Sequence, residues 1–503
     1  MNAVAVINHR TFQIVFLLYS TLLIFLGRQT DMGLLNFDDS FYAQKAKEVL
    51  TGGSLWLNTF HGMPDFDKPP LPLWLTALAF KVFGVSGYST VLVTGLMGTG
   101  AVYITYRLSE RLFKDSWVAF VAGIVLISPG YFLDYSRRGM TDISLTFFVT
   151  LALYCFFRAR ENPRWYLAFG LSTVGAMLTK SVLGLFPLLI AFVVLVVTRR
   201  WKTIVDPHFI GGVVIALGLG SAWHIVNWIE YGDQFVQMHF GWIIWERFVT
   251  GDPATPNAGP FYFLGYLKGF FGNYWPWLPF AVAGCWQFGK RAFEEKEEKK
   301  DHYLLVLLWV LIIMIVLSLS NAQYFRYSLP VFPALAIIVS KTLGNWLLPA
   351  WKDKLLPWLI GGIMLTVLVI NVTPIELKQA ASLRRNSWEV RLLAPSIRLN
   401  TAEKTFLGNY KLPLWNPRNS ILFYSDRWLA DPVGEPEKVM ASFEKSPPAT
   451  WLTYLGEFRE LEKKFPGKLY LIQSQGPYAY FTAMHHRDKI RHDFSGENQK
   501  RIR

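Results

Sequence analysis

Eleven apolar segments run through this 503-residue chain and leave it few folds to choose from. They cover roughly 12–26, 89–106, 117–133, 141–157, 165–178, 181–198, 209–228, 261–286, 303–320, 327–343 and 355–372. Recurring at this length and spacing, they read as transmembrane helices. The first, Phe12–Leu26, follows a short stretch with His9 and Arg10 and lacks a small-residue cleavage site. It is therefore predicted to be an uncleaved span whose ends reach into the interface. Leu71–Phe83 is apolar but short and led by prolines, the pattern of a re-entrant or interfacial helix. A content of 52% hydrophobic and 17% charged residues argues against a soluble chain. The net charge of +14 does not point to nucleic acid, because the basic residues are spread between the apolar segments. Cys155 and Cys285 both lie in apolar runs, so neither a disulfide framework nor a cysteine metal cluster follows.

Charge sorts the connections onto two sides. Alternate ones hold Arg107, Arg111 and Lys114; Arg158, Arg160 and Arg164; Arg199, Arg200 and Lys202; Lys290 to Lys300; and Lys341, Lys352 and Lys354. The positive-inside rule makes these cytoplasmic, together with the amino terminus. The remaining connections are then external: the loop around Asp38 to Lys68, the turn with Arg137, Arg138 and Asp142, the interruption at Lys180, the loop with Glu246 and Arg247, and the stretch with Gln323, Arg326 and Tyr327. Eleven spans satisfy this alternation.

The longest polar interval in the first half runs from Asn36 to Pro72. In it Tyr42, Ala46, Val49 and Leu50 fall on one helical face, Gln44, Lys45, Lys47 and Glu48 on the other, and Gly52-Gly53 ends the pattern. That spacing predicts an amphipathic helix lying in an interface. Asp38 and Asp39 open it, and Asp67-Lys68-Pro69-Pro70 closes the interval.

DDSFYAQKAKEVL followed by FDKPPLPLWLTALAFKVFG strongly resembles the aminoarabinose transferase and protein mannosyltransferase superfamily of polyprenyl-phosphate-sugar glycosyltransferases. The likeness extends over roughly 12–348 through RRGMTDISLTFF, LTKSVLGLFPLL, HFGWIIWERFVTGDPATPNAGPFYFLGYL and YSLPVFPALAII. It implies an all-α polytopic membrane fold of GT-C type with about 11–13 transmembrane helices, and a bacterial inner-membrane location with the active site on the external, periplasmic face. It implies that Asp38 takes the catalytic aspartate's place, that Asp39 replaces a usual glutamate, and that Asp142, Lys180, Arg247 and Tyr327 hold the positions of further family motifs; for the lipid phosphate Lys68 and Arg247 are the first choices, with Lys180, Arg137 and Arg138 in reserve. One departure concerns the acceptor: a basic residue and proline commonly precede the tyrosine in the aminoarabinose branch, whereas this chain reads Gln323-Tyr324-Phe325-Arg326. The expected partners are a polyprenyl-phosphate sugar donor, a lipid A, glycan or protein acceptor, and membrane lipids. No nucleotide cofactor is implied. Some relatives hold a divalent metal near the motif of Asp67, but no dependable ligand set is legible, and His61, His224 and His239 read as isolated structural residues.

The chemistry follows from the donor. Cleaving the bond from the anomeric carbon to phosphate adds negative charge to the departing polyprenyl phosphate, so cations must stand where that charge develops. Asp38 would act as general base toward a hydroxyl acceptor, or orient a phosphate acceptor. Plainer readings exist for each residue. Asp38 and Asp39 could cap a helix; Lys68, Lys180, Arg137 and Arg138 could snorkel; Arg247 could pair with Glu246; Tyr327 could belong to an aromatic belt. A polyprenyl-linked-sugar flippase would also carry buried charges, although transporters place them near the midplane in repeated halves. After about 371 the apolar runs shorten. Residues 1–372 are therefore expected to form the transmembrane domain, with loop 28–70 catalytic, and 373–503 a small external α/β domain. In the latter, Ile421–Tyr424, Trp451–Leu455 and Leu469–Ile472 are predicted strands, and Glu437–Glu444 and Glu457–Phe465 predicted helices.

Overall fold

A computed structural model describes residues 9–27, 34, 38–251, 264–295, 297–347, 349–372, 378–403, 405–413, 417–444 and 449–491. The motif stretch DPATPNAGPFYF and the basic tail beyond 491 lie outside these residues. The chain divides into two compact units, one of 1–27 with 48–374 and one of 28–47 with 375–503.

The first unit is helical. Six uninterrupted helical stretches are long and apolar enough to cross a membrane: Gly87–Phe113, Trp165–Val197, Pro207–Tyr231, Lys299–Ser318, Phe325–Trp346 and Lys354–Asn371. A seventh forms if Ser116–Ile127 and Gly130–Ser136 are joined across a 72° bend, which Pro129 explains by interrupting the backbone ladder.

Charged residues sort to the two ends of this bundle. At one end three carboxylates each sit between two arginines. Glu110 meets Arg10 at 2.8 Å and Arg107 at 3.3 Å. Glu161 meets Arg111 at 2.7 Å and Arg158 at 3.1 Å. Asp301 meets Arg160 at 3.3 Å and also Arg200. At the other end Arg137 donates to the carbonyls of Ile24 and Gly27, closing the first helix, and Asn371 donates to the Leu23 carbonyl at 3.2 Å. Helix Asp142–Arg158 joins the two ends and is about 24 Å long at ~1.5 Å per residue.

These anchors show that Trp165–Val197 is two passes. Gly170 and Gly212 approach so closely that a Cβ on Gly170 would overlap the Gly212 backbone, while Gly220 meets Met177. Helices Trp165–Lys180 and Pro207–Gly220 therefore run parallel, and the chain must return between them. Ser181, with φ 47°, begins the reversal; a Cβ on Gly184 would strike the backbone of Ala176 and Met177. Phe186–Val197 then carries the chain back to Arg200 at the arginine end. The opposite holds for Leu71–Phe83. It starts beside Lys68, and the following helix, Gly87–Phe113, starts from that same end, since its Gly95 packs on Leu26 and its Arg111 meets Glu161. Leu71–Phe83 thus does not pass through, as its length and prolines predict. Among the described residues these contacts carry Arg10–Leu26, Gly87–Phe113, Asp142–Arg158, Trp165–Lys180, Phe186–Val197 and Pro207–Gly220 from one end to the other.

In the second unit, a five-stranded sheet has the order β4-β3-β5-β7-β6, where β3 is Phe406–Tyr410, β4 Trp428–Val433, β5 Trp451–Tyr454, β6 Leu469–Gln475 and β7 Tyr478–Ala483. Strands β3, β4 and β5 are parallel, and β7 pairs antiparallel with β5 and β6. Helices Pro436–Ser442 and Leu455–Lys464 lie where helices were predicted. Ile421–Tyr424 is not a strand: it lies in helix Arg418–Ser425, which starts after Pro417 and stops at Asp426 with φ 58°. A four-residue apolar run has no period of its own, and burial of Ile421, Leu422 and Phe423 suits a helix as well as a strand.

Helix Asp38–Leu50 forms as predicted, and Gly52 follows it at φ 109°. Its buried side, however, is Asp39, Ser40, Ala43, Gln44, Lys45 and Ala46, with Tyr42, Val49 and Leu50 only partly covered. The small and polar face wins because it meets hydrogen-bonding partners in its own unit. Ser40 Oγ lies 2.9 Å from Ser420 Oγ, and Lys47 pairs with Asp426. The Lys45 ammonium stands 4.8 Å from the Phe41 ring centre.

The arginine end makes a stability prediction. Removing the buried Asp301 carboxylate leaves Arg160 and Arg200 facing each other without compensation, so Asp301→Ala is expected to cost roughly 3 kcal/mol. Thermal unfolding in detergent should show a drop of several degrees, larger than that of Arg200→Ala, whose side chain is 38% exposed. An unchanged unfolding temperature in Asp301→Ala would refute the clamp.

Candidate functional site

The end of the first unit opposite the arginine triads carries the cations that the sequence singled out. Its frame is the loop after the first helix. Glu48 accepts from the backbone N–H of His61 at 2.7 Å and of Gly62 at 3.2 Å, fixing the turn between β1 (Thr59–Phe60) and β2 (Met63–Pro64). Buried Asn58 then donates to the Lys68 carbonyl at 2.7 Å. Phe66 is packed among Leu178, Trp223 and Phe235, so Asp67 and Lys68 project from a fixed point. The Lys68 ammonium meets the Asp67 carboxylate at 2.7 Å.

Lys180 and Asp142 form a second pair, buried and 2.5 Å apart. Asp142 opens its helix and Lys180 closes the next, so the pair joins two helix ends of one hairpin. The Lys180 ammonium also stands 4.3 Å from the Tyr327 ring centre, a cation–π contact that places Tyr327 in the cluster rather than in an outer belt. Arg326 lies 4.2 Å from the Tyr324 ring and 5.6 Å from the Tyr327 ring. Arg247 stands 4.9 Å from the Trp242 ring. The phenol of Tyr327 is within electrostatic reach of Arg326, Asp142, Arg247 and Asp67, and Lys180 of Lys68 and Arg326. Lys68, Lys180, Arg247 and Arg326 against Asp67 and Asp142 leave four positive and two negative charges, a balance suited to an anion.

Arg137 and Arg138 are placed differently. The Arg137 guanidinium is buried and donates to the carbonyls that end the first helix; Arg138 pairs with Asp134 at 3.7 Å and stacks on Tyr135. Asp38 and Asp39 lie in the first turn of helix Asp38–Leu50, Asp38 half-buried and Asp39 buried within electrostatic reach of Tyr424. A carboxylate in a first turn is favoured by the helix dipole.

His224 and His239 are not isolated. Both rings reach Ser181 Oγ through Nε2, at 2.8 Å and 3.0 Å, and His239 Nδ1 lies 2.7 Å from the Phe66 carbonyl oxygen. Residues 66, 181, 224 and 239 carry no spacing that announces this meeting; only the positions of Phe66 beside Asp67-Lys68 and of Ser181 beside Lys180 hint at it. Among the described residues no group of three or more His, Cys, Asp or Glu side chains is arranged to hold a metal. Near Asp67, the carboxylate meets Lys68 and both ring nitrogens of His239 are hydrogen-bonded, to Ser181 and to the Phe66 carbonyl.

This geometry can be set beside known proteins. The dolichyl-phosphate-mannose-protein mannosyltransferase family matches residues 67–225. An uncharacterized protein of Aquifex aeolicus is 24% identical over 67% of this chain and 64% of its own length. An undecaprenyl phosphate-alpha-4-amino-4-deoxy-L-arabinose arabinosyl transferase of Pseudomonas fluorescens (strain Pf0-1) is 28% identical over 63% of this chain and 55% of its own. The crystal structure of ArnT from Cupriavidus metallidurans bound to undecaprenyl phosphate superposes with a TM-score of 0.71 at 17% identity, covering 93% of this chain and 97% of that one. The family model and the relatives agree with the superfamily that the loop motifs of this chain resemble. It is a multi-pass membrane protein with the GT-C fold and a small C-terminal sheet domain. It spans about six tenths of the length of the curated relatives it matches.

Burial pushes the His239 imidazole down to about 4, and the Lys68 charge adds to this against the opposing hydrogen bond to Phe66. Unfolding returns the ring to about 6.5. The unfolded chain then binds more protons between those values, so the stability this ring contributes is present above about pH 6.5 and is lost as pH falls toward 4. Unfolding temperatures in detergent should decline through that window and decline less in His239→Asn. Equal declines in the two proteins would show that this ring stays solvated.

Proposed function

We propose that this protein is an integral-membrane glycosyltransferase that moves a sugar from a polyprenyl-phosphate donor to an acceptor on the external face of the bacterial inner membrane. The observation that carries the reading is the cationic cluster of Lys68, Lys180, Arg247 and Arg326 gathered at one end of an apolar bundle, in a chain that resembles this superfamily. A lipid dissolved in the membrane presents its phosphate at such an end, and departure of the polyprenyl phosphate adds charge that these groups stabilise. The relative bound to undecaprenyl phosphate supports a polyprenyl phosphate as the leaving group. The donor sugar is of the aminoarabinose kind by analogy with the curated relatives, and the acceptor belongs to the class of lipid A, glycans and proteins. Asp38 is assigned the carboxylate that takes the proton of a hydroxyl acceptor, or orients a phosphate acceptor. Asp142 keeps Lys180 charged in its buried position. Arg137 and Arg138, occupied by backbone carbonyls and by Asp134, serve as supports of the cluster.

The deciding assay incubates membranes with labelled polyprenyl-phosphate sugar and acceptor and follows release of polyprenyl phosphate. Asp38→Asn keeps the helix start but cannot take a proton, so it should bind donor and lose at least about 100-fold in transfer rate. Lys68→Ala and Arg247→Ala should weaken donor binding and turnover together, by very roughly 2 to 5 kcal/mol. Label that crosses the membrane without bond cleavage would overturn the transferase reading in favour of a flippase, and full activity in Asp38→Asn would return that residue to a structural role.

Orientation is tested separately. Cysteines at the exposed positions Ser54 and Glu462, in a background without Cys285, should react with an impermeant thiol reagent in spheroplasts, and a cysteine at exposed Lys290 should not. The reverse pattern would invert the topology.

A further inference from the structure

The hydrogens of the Ser181 cluster follow from its partners. The Phe66 carbonyl can only accept, so His239 Nδ1, 2.7 Å away, carries the proton. The neutral ring then has an accepting Nε2, and the Ser181 hydroxyl, 3.0 Å away, donates its one proton to it. The Ser181 oxygen is left to accept from His224 Nε2–H at 2.8 Å. Donation therefore runs one way, from His224 to Ser181 to His239 to Phe66, and bonds aligned in this manner strengthen one another. The rings are fixed as well: His239 stacks on Phe235 at 5.2 Å with an interplanar angle of 6°, and Trp223 stands edge-on to both imidazoles.

The ends of this chain matter. Phe66 precedes Asp67-Lys68, and Ser181 follows Lys180. Each ammonium is met by its own carboxylate, Asp67 or Asp142, yet the two remain within electrostatic reach and repel each other, so the spacing of the turns that carry them depends on the frame between those turns. We propose that Ser181, His224 and His239 form a positioning relay that holds the Lys68 turn and the Lys180 turn at one separation, so that both cations meet a single phosphate headgroup already in place. None of the three touches the reacting atoms in this assignment; they act through the lysines. The inference rests on the proposed donor class, and it adds to that class the reason why two like charges stay together before the donor arrives.

The test has two readings on the full-length protein in detergent. Nitrogen-15 histidine spectra should show His239 with its proton on Nδ1, the minority tautomer of free histidine, and His224 with its proton on Nε2; both signals should move together in Ser181→Ala. Binding of undecaprenyl phosphate should weaken about tenfold in Ser181→Ala and in His224→Leu, with His224→Gln, whose amide can still donate to Ser181, restoring most of it. Where Ser181→Ala does not fold, His239→Asn, which keeps the donor to Phe66 and loses the link to Ser181, carries the same comparison. If the unaltered protein binds undecaprenyl phosphate and these variants bind it equally well, or if His239 carries its proton on Nε2, the relay is overturned and the function stands. If the unaltered protein binds no polyprenyl phosphate, the functional reading falls and the headgroup assigned to the relay falls with it.

Discussion

The buried pair of Asp142 and Lys180 is the interaction on which the first unit is arranged. An ammonium taken out of water costs several kcal/mol unless a carboxylate and further partners meet it. Asp142 and the Tyr327 ring supply that compensation. Meeting these needs fixes where helix Asp142–Arg158 begins, where Trp165–Lys180 ends and where Phe325–Trp346 starts, so three passes share one level. Buried ion pairs are weak evidence for stability, and their better-attested use is to specify an arrangement. Here the arrangement is a charged end on an apolar bundle.

The two ends are charged in different styles. At the arginine end Glu110, Glu161 and Asp301 are each bracketed by two guanidiniums at salt-bridge distance. At the lysine end the cations lean on ring faces of Tyr327, Tyr324 and Trp242. A ring face lowers the cost of a positive charge without using up its N–H donors. The first style locks helices together; in the second, Lys68 and Lys180 each meet one carboxylate and the aromatic rings share in holding the charge.

Hydropathy and charge alternation were enough to read a multi-pass helical fold, the short non-crossing helix at Leu71–Phe83 and the reversal at Lys180-Ser181, because apolar length and the placement of basic residues act locally along the chain. Charge alternation put the connections holding Lys68, Asp142, Lys180, Arg247 and Tyr327 on one side, and the resemblance added the roles expected of them. What stayed hidden was tertiary. Nothing in the amphipathic pattern of 38–50 tells that its small polar face is the covered one, since that depends on Ser420, some 380 positions later. The apolar run at Ile421–Tyr424 is too short to declare a period, and β3 pairs with strands some 20 and 40 positions further on. His224 and His239 looked solitary because their meeting point, Ser181, is defined by a chain reversal.

The acidic pair sits in a stretch, 28–47, that belongs to the same compact unit as the residues beyond 375. Leu34 donates to the Tyr424 hydroxyl across 390 positions, and Ser40 meets Ser420 across 380. During synthesis, then, the helix that opens with Asp38 emerges among the first segments and waits for nearly the whole remaining chain before its polar face finds cover. Loop closure over such distances is slow relative to helix formation, so the helix forms before its polar face is covered. The unit that holds the sheet thus completes the surroundings of an acidic residue, Asp39, some 380 positions before it.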